Sequence, residues 1–144
     1  MALAGAAGSM TACDLLDGEP DPPDTLAPLI TGALDLAGRH EAAIAEFPEL
    51  GDQLRPVAQA HRAHAAELAR VTGTALPNPS ATTAATATPG ASGGNAKDTL
   101  GALRTAEQHG RDAAATACAQ APANRSALVG SIAAARATHL EVLK

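Results

Sequence analysis

Between Leu54 and Val71 the interior-type side chains recur at alternating steps of three and four residues, as Leu54, Val57, His61, His64, Leu68 and Val71, without a miss. Such steps return each side chain to one face of an α-helix, so this run is predicted to form a single amphipathic helix over about residues 52–72. Two members of the stripe are histidines, so the same pattern that buries the leucines directs two imidazoles inward. One helix cannot cover its own stripe, and the chain must supply others to pack against it.

Three further stretches carry the same signal. Residues 24–47 place Leu26, Ile30, Ala33, Ala37, His40, Ile44 and Phe47 on one face, and Pro48 and Gly51 punctuate the end. A third helix is expected to start with Asp98 or Thr99 as cap and to run to about Gln120, with Leu100, Leu103, Glu107, Gly110, Ala114 and Ala117 inward. Pro122 breaks the chain, and Asn124 or Ser126 is expected to cap a fourth helix with the stripe Val129, Ile132, Arg136, His139 and Leu143. Between the second and third helices lies Gly73 to Ala96, rich in Pro, Gly, Ser and Thr and without charge. That composition cannot bury enough surface to offset the entropy of ordering it, so it reads as a flexible crossover able to span a bundle. Two short hairpins joined by one long crossover predict an all-α four-helix bundle of the ferritin-like type rather than the up-down-up-down type. The halves also echo each other: Asp24-Thr25-Leu26 opens one hairpin and Asp98-Thr99-Leu100 the other, while His64-Ala65-Ala66-Glu67-Leu68 of the second helix echoes His139-Leu140-Glu141-Val142-Leu143 of the fourth.

The apolar fraction of 46% is mostly alanine, with Phe47 the single aromatic, so the helices must approach closely and each buried position removes little surface from water. At 144 residues the chain holds one domain, residues 24–144, behind a leader and tether, residues 1–23. A net charge of −5, two lysines and no aromatic platform disfavour nucleic acid as a partner. No apolar stretch is long enough to span a bilayer.

The leader reads MALAGAAGSM, then Thr11-Ala12-Cys13, then an acidic and proline-rich segment to Pro23. Small apolar residues before a cysteine and a polar tether after it resemble the tail of a bacterial lipoprotein signal, in which Cys13 would be lipidated and would become the first residue of the mature chain. The alternative is an ordinary tail with an incidental cysteine. Export implies a cell-envelope or extracellular location, with the membrane reached only through a lipid on Cys13. Cys118, near the end of the third helix, is expected to be a buried structural thiol, with a disulfide to Cys13 as the alternative if export occurs without lipidation.

One constellation could carry chemistry. Ferritin-like carboxylate proteins take a Glu from each of two helices and a Glu-x-x-His pair from each of the others, because the i,i+3 spacing stacks both ligands on one face. The comparable pairs here are His61-x-x-His64 and Arg136-x-x-His139. Neither partner is Glu, and the sole inward carboxylate is Glu107, so a di-iron centre is disfavoured. Arg136 is expected to repel metal and to pair with Glu107. What remains is a single-ion site of His61, His64, Glu107 and His139, with His40 in reserve, suited to zinc or copper(II). The alternative is no metal, with the histidines bonded to Glu107, to one another or to water. Glu41, Glu46, Glu49, Asp52, Arg55, Arg62 and Arg70 read as solvated surface, and His109 as exposed.

The hairpin pair, the crossover, the inward histidines and the closing Ser131-Ile132-Ala133-Ala134-Ala135-Arg136-Ala137-Thr138-His139-Leu140 together resemble an exported ferritin-like domain of unknown function from high-GC Gram-positive bacteria. The resemblance covers about residues 24–144 and implies a ferritin-like fold in the cell envelope, often as a lipoprotein. Arg136, where Glu would precede His139 by three, departs from the pattern. The leading expectation is therefore a non-catalytic envelope bundle with a degenerate metal site, structural or docking an unidentified protein partner. The competing expectations are a metal-handling bundle and a haem held between His64 and His139, the last opposed by the single aromatic. Close-packing alanine faces are compatible with a homodimer.

Overall fold

In a computed structural model the chain is described over residues 24–76 and 94–144. The leader with Cys13 and most of the crossover lie outside these residues. Four α-helices form the bundle: α1 (Ala27–Glu46), α2 (Gly51–Thr72), α3 (Ala96–Gln120) and α4 (Ala123–Val142), with a 3₁₀ turn (Pro48–Leu50) between the first two. The fold is all-α and consists of two helical hairpins, α1 with α2 and α3 with α4. The hairpins meet through α1 on α3 and α2 on α4. Among the described residues no helix is long and apolar enough to cross a membrane.

Helix boundaries follow local chemistry, in places different from the expected residues. Asp24 does not enter α1: its carboxylate accepts the Leu26 N–H at 2.9 Å and the Nη1–H of Arg125, joining the start of α1 to the start of α4. These two bonds, the Leu26 N–H first, hold the Asp24 carboxyl below the usual carboxylate range. At α3 the cap is Asn95, whose side chain accepts the Asp98 N–H at 3.0 Å, so Asp98 sits one turn inside the helix rather than at its head. At α4 neither Asn124 nor Ser126 caps: Pro122 holds the cap position, and the Ser126 hydroxyl donates to the Ala123 carbonyl. Gly73 ends α2 at φ +69°, a left-handed geometry that glycine takes without the Cβ penalty. The matching sequences at Asp24 and Asp98 therefore do different work. The register that aligns them also sets Ala114 against His40 and Ala33 against Glu107, so the two halves are not chemical copies.

Two apolar clusters occupy the ends of the bundle. One joins Leu26, Leu29, Ile30 and Ala33 of the first hairpin's open end to Leu68 and Ala69, and to Ala114, Val129 and Ile132. The other joins Ala43, Leu50 and Leu54 to Leu103 and Leu143. The end of α2 thus lies with the end of α3, and the start of α2 with the start of α3. These two helices run parallel across the diagonal, every neighbouring pair is antiparallel, and the connection from α2 to α3 must travel the length of the bundle.

The α4 stripe is buried as the spacing requires: Val129, Ile132, Arg136, His139 and Leu143 all face inward. On α2 the buried line is Leu54, Val57, Ala58, His61, Ala65, Leu68 and Ala69, while His64 and Val71 sit at its half-exposed rim. A straight helix turns every 3.6 residues, so a strict heptad line drifts off the buried face, and here alanines take over the centre. Cys118 is half-buried rather than buried, its Sγ 3.4 Å from the Ser126 carbonyl oxygen. The acidic and basic residues read as solvated surface are exposed, as is His109.

Candidate metal centre

Between the two apolar clusters all four helices send polar side chains into one layer: His40 from α1, His61 and His64 from α2, Glu107 from α3, Arg136 and His139 from α4. His40, His61 and Glu107 are fully buried and Arg136 is 1% exposed. Charged groups that deep require partners, because removing an ion from water is otherwise prohibitive.

The hub is one oxygen, Oε1 of Glu107. The His61 Nε2–H donates to it, and His139 Nδ1 and His40 Nε2 stand 3.6 and 3.7 Å away. Burial alone would raise the Glu107 carboxyl, but the nearby His139 ring and the His61 N–H bonded to the carboxylate outweigh burial and hold the group at about 2. His40 is fixed differently: its Nδ1–H donates to the Leu36 carbonyl one turn back at 2.8 Å. That bond selects the tautomer with a lone pair on Nε2, the nitrogen that faces Glu107. Burial lowers the His40 pKa, so the ring stays neutral. Nε2 of His40, Nδ1 of His61, Nδ1 of His64, Nδ1 of His139 and Oε2 of Glu107 are buried without a hydrogen-bond partner among the described residues.

One ligand atom from each of His40, His61 and Glu107 lies within 4.8 Å of the other two. A four-coordinate zinc with bonds of about 2.0–2.2 Å holds its donors roughly 3.3–3.6 Å apart. The His40 and His139 nitrogens already stand close to that spacing from Glu107. The His61 nitrogen is closer, at hydrogen-bonding distance, so an ion entering here would take the place of the proton that His61 shares with the carboxylate. Of the residues named from sequence, the structure brings His61, Glu107 and His139 onto one oxygen. His64 stands aside, half-buried, its ring centroid 6.1 Å from His61 and 6.3 Å from His139. His40, held in reserve by the sequence reading, is at the centre. Its inward position was visible in the α1 stripe; its approach to Glu107 depends on how α1 and α3 are staggered, which no stripe records.

Arg136 corrects an expectation. It does not pair with Glu107; its Nη1–H donates to the Gly110 carbonyl at 2.6 Å. The physical reason is a missing side chain. A Cβ on Gly110 would lie 2.9 Å from Leu36 Cδ1 and 3.1 Å from Arg136 Nη1, so only glycine lets the guanidinium reach the backbone of α3 at this point. Gly110→Ala is therefore expected to destabilise the protein by about 1–3 kcal/mol despite alanine's better helix propensity, as measured by the urea unfolding midpoint. A stabilised variant would show that the contact yields freely.

Comparison with family models, with curated proteins and with solved structures gives no match for this chain.

Proposed function

We propose that this protein is a metal-binding four-helix bundle of ferritin-like type that holds one divalent transition ion, zinc or copper(II), on His40, His61 and Glu107, with His139 as the fourth donor. The observation that carries the reading is the pairing of His40: one ring nitrogen is committed to a backbone carbonyl, and the other, unprotonated and buried, faces a carboxylate that two further imidazoles approach. Metal-binding histidines are oriented in this way by a bond from the ring nitrogen that does not ligate. Imidazoles with one carboxylate suit zinc and copper(II), whereas a pair of irons needs bridging carboxylates that this layer lacks. His64, half-buried at the edge, is placed to receive or release an ion rather than to hold it.

A second reading, a non-catalytic structural or partner-docking bundle of the cell envelope with a degenerate site, draws support from Arg136. A permanent cation in the layer lowers affinity for any further cation. The two separate on one experiment. The full-length protein is dialysed against limiting zinc, its metal content is measured, and cobalt(II) is substituted to read coordination from visible absorption. The metal reading expects near-stoichiometric zinc, an intense four-coordinate cobalt spectrum, and at least a 100-fold loss of affinity in the folded His40→Ala, His61→Ala double variant. Wild-type protein without bound metal, or a double variant that binds equally well, would leave the structural reading in its place. The cell-envelope location and lipidation of Cys13 are part of the same proposal and are tested by mass spectrometry of the mature N-terminus.

A further inference from the structure

An ion seated on Glu107 would find no open way in or out of the fold. The atoms that would hold it, His40 Nε2 and His139 Nδ1 among them, have essentially no accessible surface, and His61 and Glu107 are fully buried. A cation cannot cross packed apolar side chains without ligands to replace its water, so loading requires two helices to part and a donor to meet the ion where they do. Exposure within the layer is uneven: His40, His61 and Glu107 stand at 0%, Arg136 at 1% and His139 at 7%, while His64 is half-buried. The two least buried members, His64 and His139, belong to α2 and α4, with ring centroids 6.3 Å apart and ring planes 25° from parallel.

The two seams between the hairpins differ. On the α1 and α3 side, Leu36 and the Arg136 guanidinium both close on Gly110, leaving no room for a Cβ, and the guanidinium is bonded to the Gly110 carbonyl. An ion arriving there meets a fixed positive charge. The hairpins meet more sparingly along α2 and α4, and that seam presents imidazoles instead. His64 joins rim to interior: the residue is half-exposed, yet its Nδ1 is buried without a partner among the described residues. It stands one helical turn from His61, with the ring centroids 6.1 Å apart. We infer that ions enter and leave by a parting of the α2 and α4 seam, with His64 as a transit ligand that takes the ion first and passes it to His139 and His61, while Arg136 keeps the α1 and α3 side closed to cations. The inference rests on the metal proposal and adds to it a path and a rate. At equilibrium the ion lies on the four donors around Glu107, so His64 speeds both directions equally and leaves the affinity, their ratio, unchanged.

The test follows cobalt(II) on full-length protein by its visible absorption: uptake by metal-free protein in stopped flow, loss from loaded protein mixed with excess EDTA, and affinity by titration. In the wild type the loss rate is expected to level off as EDTA is raised, because parting of the seam sets it. A loss rate that keeps rising in proportion to EDTA overturns the inference. His64→Ala is expected to slow uptake and loss together by roughly tenfold, with the affinity within about threefold of wild type. Were the ring only a plug, its removal would speed exchange, and were it a holding ligand, the affinity would fall; either result overturns the inference. His64→Gln keeps the bulk of the side chain and gives the same readout if the alanine variant does not fold. His109→Ala, at an exposed residue lining the groove between α1 and α3, is expected to change neither rate, and a slowing there would move the route to that side and overturn the inference. Wild-type protein without a four-coordinate cobalt spectrum removes the metal proposal and this one with it. A normal spectrum with uptake and loss unchanged in His64→Ala removes this one alone.

Discussion

Glu107→Leu is expected to remove about 3–5 kcal/mol of folding stability, a large part of the 5–15 kcal/mol available to a domain of this size. The leucine would gain some apolar burial, about 2 kcal/mol at most. Against that, the substitution leaves Arg136 as a buried cation with no opposing charge in its layer, and it strips His61 of its acceptor. Breaking a buried charge set from one side is costly, whereas replacing the whole set with apolar groups is often neutral or stabilising. The double variant Glu107→Leu, Arg136→Met is therefore expected to regain most of the loss. Urea unfolding of the wild type, both single variants and the double variant closes the cycle. Additive losses would show that the two charges do not sense each other and that the layer is held by other means.

A second large effect is set by acid. Burial, followed by the positive charges of His61, Arg136 and His139, lowers the His64 pKa from 6.5 to about 4, and burial lowers His40 as well. Both rings are thus more readily protonated in the unfolded chain than in the fold. The stability they contribute is complete above pH 6.5 and is lost as the pH falls from 6.5 toward about 4, because over that window the unfolded state binds more protons. For His64, allowing for its partial exposure, the loss is about 2 kcal/mol. Glu107 adds a later stage of the same sign, since its carboxyl is depressed from 4.5 to about 2 and its contribution disappears across that lower range. Denaturant midpoints of metal-free protein across this range check the first stage. His64→Gln is expected to flatten it in part, and an unchanged slope in that variant would assign the loss to His40 and the rest of the layer.

The parts of this molecule legible in sequence are those where side-chain size marks a face. Every member of the α4 stripe is buried, since Val129, Ile132 and Leu143 are large enough to define it and carry Arg136 and His139 with them. On α2 the centre of the face belongs to Ala58, Ala65 and Ala69, which cannot be told from exposed alanines by composition, so the spacing predicts a stripe through His64 and Val71, which sit at its edge. The chemistry of the site was half legible for a related reason. Periodicity tells which residues turn inward but not the stagger between helices. That is why His40 proves central and His64 peripheral, and why Arg136 answers to a glycine carbonyl rather than to Glu107.

The parallel course of α2 and α3 sets a lower bound on what may join them. A helix of 22 residues is about 33 Å long, and an extended chain covers at most about 3.3–3.6 Å per residue, so roughly ten residues suffice to return from the end of α2 to the start of α3. The sequence supplies 23 between the two helices, from Gly73 to Asn95, or about twice the minimum. Deletions could therefore erode half of this segment without altering the handedness or order of the helices. Past that limit the second hairpin could no longer lie in its present orientation, and the same four helices would have to assemble with a different neighbour relation, scattering the residues now gathered around Glu107.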